Sequence, residues 1–108
     1  MGSSDRPARP APPRRDTVLF QLRAARPELE RRFGVRALTL FGSIARDEGD
    51  ERSDVDVLVS FDGPATSVRY FGVQFHLEDL FDWPVDLVTD KALRPELRPF
   101  VERDAIHV

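Results

Sequence analysis

An α/β (α+β) fold, a small sheet with helices packed mainly on one side, is what this chain of 108 residues predicts. Three observations carry that expectation. Segments with helical spacing of apolar residues alternate with short β-branched and aromatic runs, giving the order α-β-α-β-α-β-α. The β-type runs, 35–41, 55–61 and 84–89, are bounded by glycine, proline and aspartate. Hydrophobic residues make up 41% of the chain, enough for one modest core and not for a second.

Residues 1–15 hold Pro7, Pro10, Pro12 and Pro13 among arginine, serine and alanine. Such a stretch buries too little to order itself and reads as a disordered tail. The folded unit, 16–108, opens at Asp16, an N-cap candidate ahead of Val18, Leu19 and Leu22. The apolar set continues through Ala25 and Leu29 to Phe33, and Gly34 supplies the C-terminal stop. Pro27 lacks the amide that a helix interior needs, so a kinked helix or two short helices are expected here. Val35–Phe41 is the first strand. Gly42-Ser43 then opens a short turn or helix, and 46–53 is polar loop. Val55–Phe61 is the second strand, closed by the turn signal Asp62-Gly63-Pro64. A helix is expected over Ser67–Phe81, a third strand over Pro84–Thr89, a last helix over Pro95–Arg103 and a short strand at Ile106–Val108.

The absence of cysteine excludes disulfides, thiol nucleophiles and thiolate metal sites together. His76 and His107 lie far apart and in no ligand spacing, which argues against zinc. No apolar run approaches the ~20 residues needed to span a bilayer, and no signal-peptide core follows Met1, so the expected location is cytoplasmic with no membrane partner. The net charge of −3 conceals an asymmetry. Arg6, Arg9, Arg14 and Arg15 stand against Asp5 in the tail, leaving the remainder distinctly acidic. An acidic body argues against binding a nucleic-acid backbone, and the arginines read as a solvated tail.

Asp54-Val55-Asp56 is the most informative tripeptide. Residues two apart on a strand point the same way, placing both carboxylates on one face about 6–7 Å apart at Cα. Val55, Val57 and Val59 take the opposite, apolar face and fix the register. Like charges held so close repel, and a divalent cation resolves the conflict; magnesium is the hard, oxygen-seeking choice where phosphate supplies further ligands. Asp86, between Val85 and Leu87, is a third carboxylate that runs against β-propensity. With the second and third strands as neighbours, the trio would surround one or two metal ions and serve phosphoryl-group chemistry. Gly42-Ser43 follows a strand directly. Glycine lets a phosphate approach the backbone, the amides at a helix start favour an anion, and the Ser43 hydroxyl adds a donor.

Taken singly, the Asp pair also reads as a solvated strand end and Gly-Ser as an ordinary turn. The spacing changes both readings: Gly42-Ser43, ten residues, Asp54-x-Asp56, then Asp86 in a later strand. In this the chain resembles the polymerase-β-like nucleotidyltransferase superfamily. The run LFGSIARDEGDERSDVDVLVSF, Leu40 to Phe61, is similar to the minimal nucleotidyltransferases in particular, and PVDLVT, Pro84 to Thr89, to the strand carrying their third carboxylate. The resemblance runs from about Asp16 to Val108. It implies the nucleotidyltransferase fold with its small mixed sheet. It also implies that Gly42 and Ser43 hold the triphosphate of ATP, that Asp54 and Asp56 bind magnesium, and that Asp86 completes the metal site and helps deprotonate an acceptor hydroxyl. Arg46, and more loosely Arg52, are candidates for phosphate contact; a surface arginine pairing Asp47 or Glu48 is the other reading of Arg46. Asp47 departs from the pattern, since many relatives have glycine after that arginine. His76 reads as a surface or partly packed side chain and His107 as non-catalytic; Trp83, Phe71 and Phe75 read as core or as a partner surface.

The resemblance further implies transfer of AMP from ATP to a hydroxyl of a partner protein, a tyrosine of a HEPN-type ribonuclease toxin, so that the chain acts as an antitoxin in a hetero-oligomer. Larger relatives carry an extra domain to grip RNA or antibiotics; a folded unit of this size has none, so the acceptor must bring its own docking surface. Two alternatives stay open: an antitoxin that neutralises by occlusion without catalysis, and a small-molecule nucleotidyltransferase.

Overall fold

The computed structural model describes residues 11–108. Most of the tail expected over 1–15 therefore lies outside the described residues. The elements are α1 (Arg15–Phe33), β1 (Val35–Phe41), α2 (Gly42–Ala45), β2 (Val55–Phe61), α3 (Ser67–Phe81), β3 (Val85–Thr89), α4 (Arg98–Asp104) and β4 (Ile106–His107). The four strands form one mixed sheet in the order β3-β2-β1-β4. β1 is antiparallel to β2 and β4, while β2 and β3, joined through α3, are parallel.

Alternation along each strand sorts the two faces. Leu38, Leu40, Val55, Val57, Val59, Val85 and Leu87 are buried beneath α1 and α3, which contribute Val18, Leu22, Leu29, Val73 and Leu77. Two long helices thus cover one face. α4 lies over the other, beside Thr39 and Leu58. The free edge of β3 is closed by side chains spaced four apart on α3. Gln74 Nε2 donates to the Val85 carbonyl at 3.2 Å, Glu78 Oε2 accepts from the Val85 amide at 3.2 Å, and the Tyr70 hydroxyl donates to the Leu87 carbonyl. This blunts an edge that would otherwise template pairing with another chain.

Two local expectations are corrected and a third is narrowed. Of the two forms expected around Pro27, two short helices are excluded: α1 is one helix through Pro27. Pro27 and Arg23, whose carbonyl loses its amide partner, both lie on the exposed side, while Leu22, Ala25 and Leu29 anchor the buried side. Asp16 is not the N-cap: Arg14 is, and Asp16 sits in the first turn, where its charge favours the helix dipole. α4 begins at Arg98 rather than at Pro95. Pro99 falls in its first turn, the one place where a missing amide costs nothing; a start at Pro95 would set the ring of Pro99 against the Pro95 carbonyl. Gly34 ends α1 as expected, at φ 72°.

Candidate active site

The parallel pairing of β2 with β3 sets Val55 against Val85, and the next pair in register is Asp56 against Asp86. Because Val55 and Val85 are both driven into the core, the two aspartates are driven together onto the opposite face. Asp54 stands one residue ahead of β2, so the three carboxylates share one end of the sheet. Asp54 and Asp86 are exposed and Asp56 is partly buried. Burial, then the charges of Asp86 and Asp54 and a hydrogen bond with Asp86, push the Asp56 carboxyl up to about 7; the charge of Arg46 acts in the opposite direction.

On the other side of Asp56, β1 brings Phe41 into register with it, and the chain turns at Gly42. Gly42 takes φ 80°, and a Cβ placed there would stand 2.1 Å from Asp56 Oδ2. Glycine is therefore required twice, for the left-handed backbone and for the approach of the carboxylate. α2 follows at once, and the first amides of any helix lack partners within it.

The ten residues between the two motif halves form an ordered loop. The Ser43 hydroxyl donates to Ser53 Oγ at 3.0 Å, Ser53 Oγ accepts from the Asp50 amide at 3.0 Å, and Asp50 Oδ1 accepts from the Arg52 amide at 2.8 Å. Trp83 Nε1 donates to the Ser53 carbonyl at 2.6 Å and pins the backbone immediately before Asp54. Trp83 is buried, which settles it as core, whereas Phe71 and Phe75 are exposed on α3. Asp47, the departure from the glycine pattern, takes φ 61°, so the loop keeps the left-handed turn with a residue that tolerates it.

Arg46 reaches the same region from the end of α2. It donates from Nε to Glu48 Oε1 at 3.0 Å and from Nη1 to Asp104 Oδ2 at 2.6 Å, contacts that raise its own pKa. It lines a cleft of about 410 Å³ together with Gly42, Asp86, Leu97 and Phe100. Arg52 is exposed, and its side chain makes no ion pair among the described residues. His107 is a structural partner: its Nδ1 lies 3.0 Å from Thr39 Oγ1 across the β1–β4 pairing. Among the described residues no three acidic or histidine side chains are already gathered as a metal cage. The set is still one that suits magnesium, which takes one or two carboxylates and draws its remaining oxygens from phosphate and water; a cation would also relieve the repulsion that adds to burial in lifting Asp56.

Sequence reasoning did not single out Ser53 or Asp104, and it read Trp83 only as core or partner surface. Asp50-x-x-Ser53 ahead of the Asp pair carried a turn signal for the first. For Trp83 and Asp104 nothing local marked the contact, since each reaches its partner across the fold.

The sequence profile of the nucleotidyltransferase domain family matches residues 22–108. The chain is a nucleotidyltransferase. It is 38% identical over 87 residues to the protein adenylyltransferase MntA of Thermococcus cleftensis, covering 81% of this chain and 88% of the relative. A solved structure of a candidate minimal nucleotidyltransferase superposes with a TM-score of 0.74 at 35% identity, covering 87% of this chain and 95% of that one. The same nucleotidyltransferase fold recurs, at TM-score 0.55 and 19% identity, in a complex of a tri-AMPylated HEPN toxin with an MNT antitoxin from Shewanella oneidensis, covering 86% of this chain and 66% of that one.

Proposed function

We propose that this nucleotidyltransferase moves AMP from ATP onto a hydroxyl of a partner protein, a tyrosine of a HEPN-type toxin, and acts as that toxin's antitoxin in the cytoplasm, where ATP is at hand. The observation that carries the reading is the packing of Gly42, Asp56 and Asp86 side by side at one end of the sheet. Gly42 and Ser43 bind the triphosphate through backbone amides and a hydroxyl, with Arg46 beside them. Asp54, Asp56 and Asp86 are the residues that would hold magnesium, which when bound neutralises charge on the phosphates. Asp86, at the exposed flank, takes the proton of the acceptor hydroxyl. The acceptor oxygen bonds to the α-phosphorus, the bond from that phosphorus to the bridging oxygen breaks, and pyrophosphate leaves.

Three observations support a protein acceptor. The relative from Thermococcus cleftensis is a protein adenylyltransferase, and the Shewanella oneidensis complex joins an MNT antitoxin to an AMPylated HEPN toxin. On this chain, Val68, Phe71 and Phe75 form an apolar stripe at i, i+3 and i+7 on α3, exposed by 78%, 49% and 64%, of the kind a protein partner covers. The doubly substituted Asp54→Asn, Asp56→Asn chain separates this reading from neutralisation by occlusion. Loss of neutralisation with complex formation retained supports catalysis; full neutralisation by the substituted chain refutes it.

A further inference from the structure

Asp104, the last residue of α4, is a carboxylate that the three acidic residues at the sheet end do not account for. Its side chain is only 8% exposed, and it accepts from two arginines, Arg46 Nη1 at 2.6 Å and Arg103 Nε at 3.4 Å. Glu48 holds Arg46 from the other side, at Nε. Two carboxylates thus grip Nε and Nη1, and Nη2 makes no hydrogen bond among the described residues. The same guanidinium lies on the wall of the cleft that contains Gly42 and Asp86, and its charge is felt by Asp56.

A carboxylate so withdrawn from water needs its arginine partners, and Asp104, fixed on α4, in turn restrains the Arg46 guanidinium. An unrestrained arginine loses rotamer entropy when its guanidinium is fixed. Holding the guanidinium in place beforehand removes part of that cost from each bond it later makes to an anion.

We infer that Asp104 is a positioning residue for the nucleotide: it fixes the Arg46 guanidinium at the cleft so that the Nη2 donors meet the triphosphate. The inference rests on the nucleotidyl-transfer reading above and adds that α4, near the end of the chain, is a wall of the nucleotide site. It implies selectivity, because a nucleoside monophosphate has no outer phosphates for Arg46 to reach.

The test titrates ATP and AMP, each with magnesium, into the full chain and into Asp104→Asn, Asp104→Glu and Arg46→Gln, with a thermal melt of each variant. Asp104→Asn is expected to weaken ATP about 10-fold while AMP stays within about 2-fold, Arg46→Gln to reproduce that pattern, and Asp104→Glu to recover part of the loss. Asp104→Asn binding ATP as tightly as the unsubstituted chain, or losing ATP and AMP equally, overturns the inference and leaves a strut between α2 and α4. Should Asp104→Asn fail to fold, Arg46→Gln decides by the same ratio, an equal loss of both ligands being the overturning result. An unsubstituted chain that binds neither nucleotide overturns the transfer reading itself, and the inference with it.

Discussion

Replacing Gly42 by alanine tests the packing at the centre of the site. Gly42 lies at φ 80°, where an L-residue is disfavoured by about 1–2 kcal/mol. The new Cβ would also stand 2.1 Å from Asp56 Oδ2 and 2.9 Å from its Cγ. Carbon contacts are comfortable only near ~3.5 Å, so the carboxylate must retreat by roughly 1 Å. Backbone and clash together come to about 2–3 kcal/mol, which lowers the melting temperature of a domain of this size by roughly 10–20 °C. A displacement of roughly 1 Å at a group that positions the reaction costs about 100-fold in rate. Thermal melts and transfer rates below the melting temperature read the two effects separately. In an Asp56→Ala background the contacts with Oδ2 and Cγ are gone and only the Cβ of residue 56, at 3.2 Å, stays close, so Gly42→Ala should be milder there by about 1 kcal/mol. A melting temperature within about 2 °C of the unsubstituted chain, or the same cost in both backgrounds, would refute the reasoning.

Four further outcomes are expected. In metal-free buffer the folded Asp56 carboxyl holds its proton up to about 7, whereas the unfolded one releases it near 3.8. The native state therefore binds more protons between those values, and stability falls as pH rises through that window. Discounted for the solvent around a partly buried group, the loss is about 1–2 kcal/mol, and melts in EDTA should show it disappear in Asp56→Asn. Trp83→Phe removes the donor to the Ser53 carbonyl, lowering stability by about 1–3 kcal/mol and the transfer rate along with it; a change in neither contradicts the anchoring role. Asp47→Gly relieves the residue at φ 61° and should raise stability by up to about 1 kcal/mol in a chemical denaturation curve, with activity kept. Phe71→Ser with Phe75→Ser should leave the melt unchanged and weaken the complex with the proposed HEPN-type partner more than about 10-fold by calorimetry; an unchanged complex places the interface elsewhere.

Much of this fold was legible because its local signals agree with its tertiary structure. Val55, Val57 and Val59 alternate with Asp56 and Leu58, and that single pattern gave the strand, its buried face and the direction of the carboxylate. The convergence of Asp56 with Asp86 needed one further condition, that β2 and β3 be neighbours, which periodicity does not contain and the right-handed β-α-β habit favours. Pro27 and Pro99 misled in opposite ways. The first was read as a kink or a division into two helices, and the exposed side of a long, well-anchored helix carries it without division; the second was overlooked as the residue that sets where α4 begins. Arg46 could be read two ways from sequence, and one partner, Glu48, was among those foreseen. The closer partner, Asp104, lies 58 positions away and becomes visible only when α4 folds back over the sheet.

The central claim is that this sheet end transfers AMP to a protein. The most direct measurement incubates the purified chain with ATP, magnesium and a co-expressed HEPN-type partner, and reads the intact mass of each protein. The account predicts that the partner gains one or more AMP units and that Asp54→Asn abolishes the gain. Tight association with no mass change, with ATP and magnesium present throughout, would contradict it.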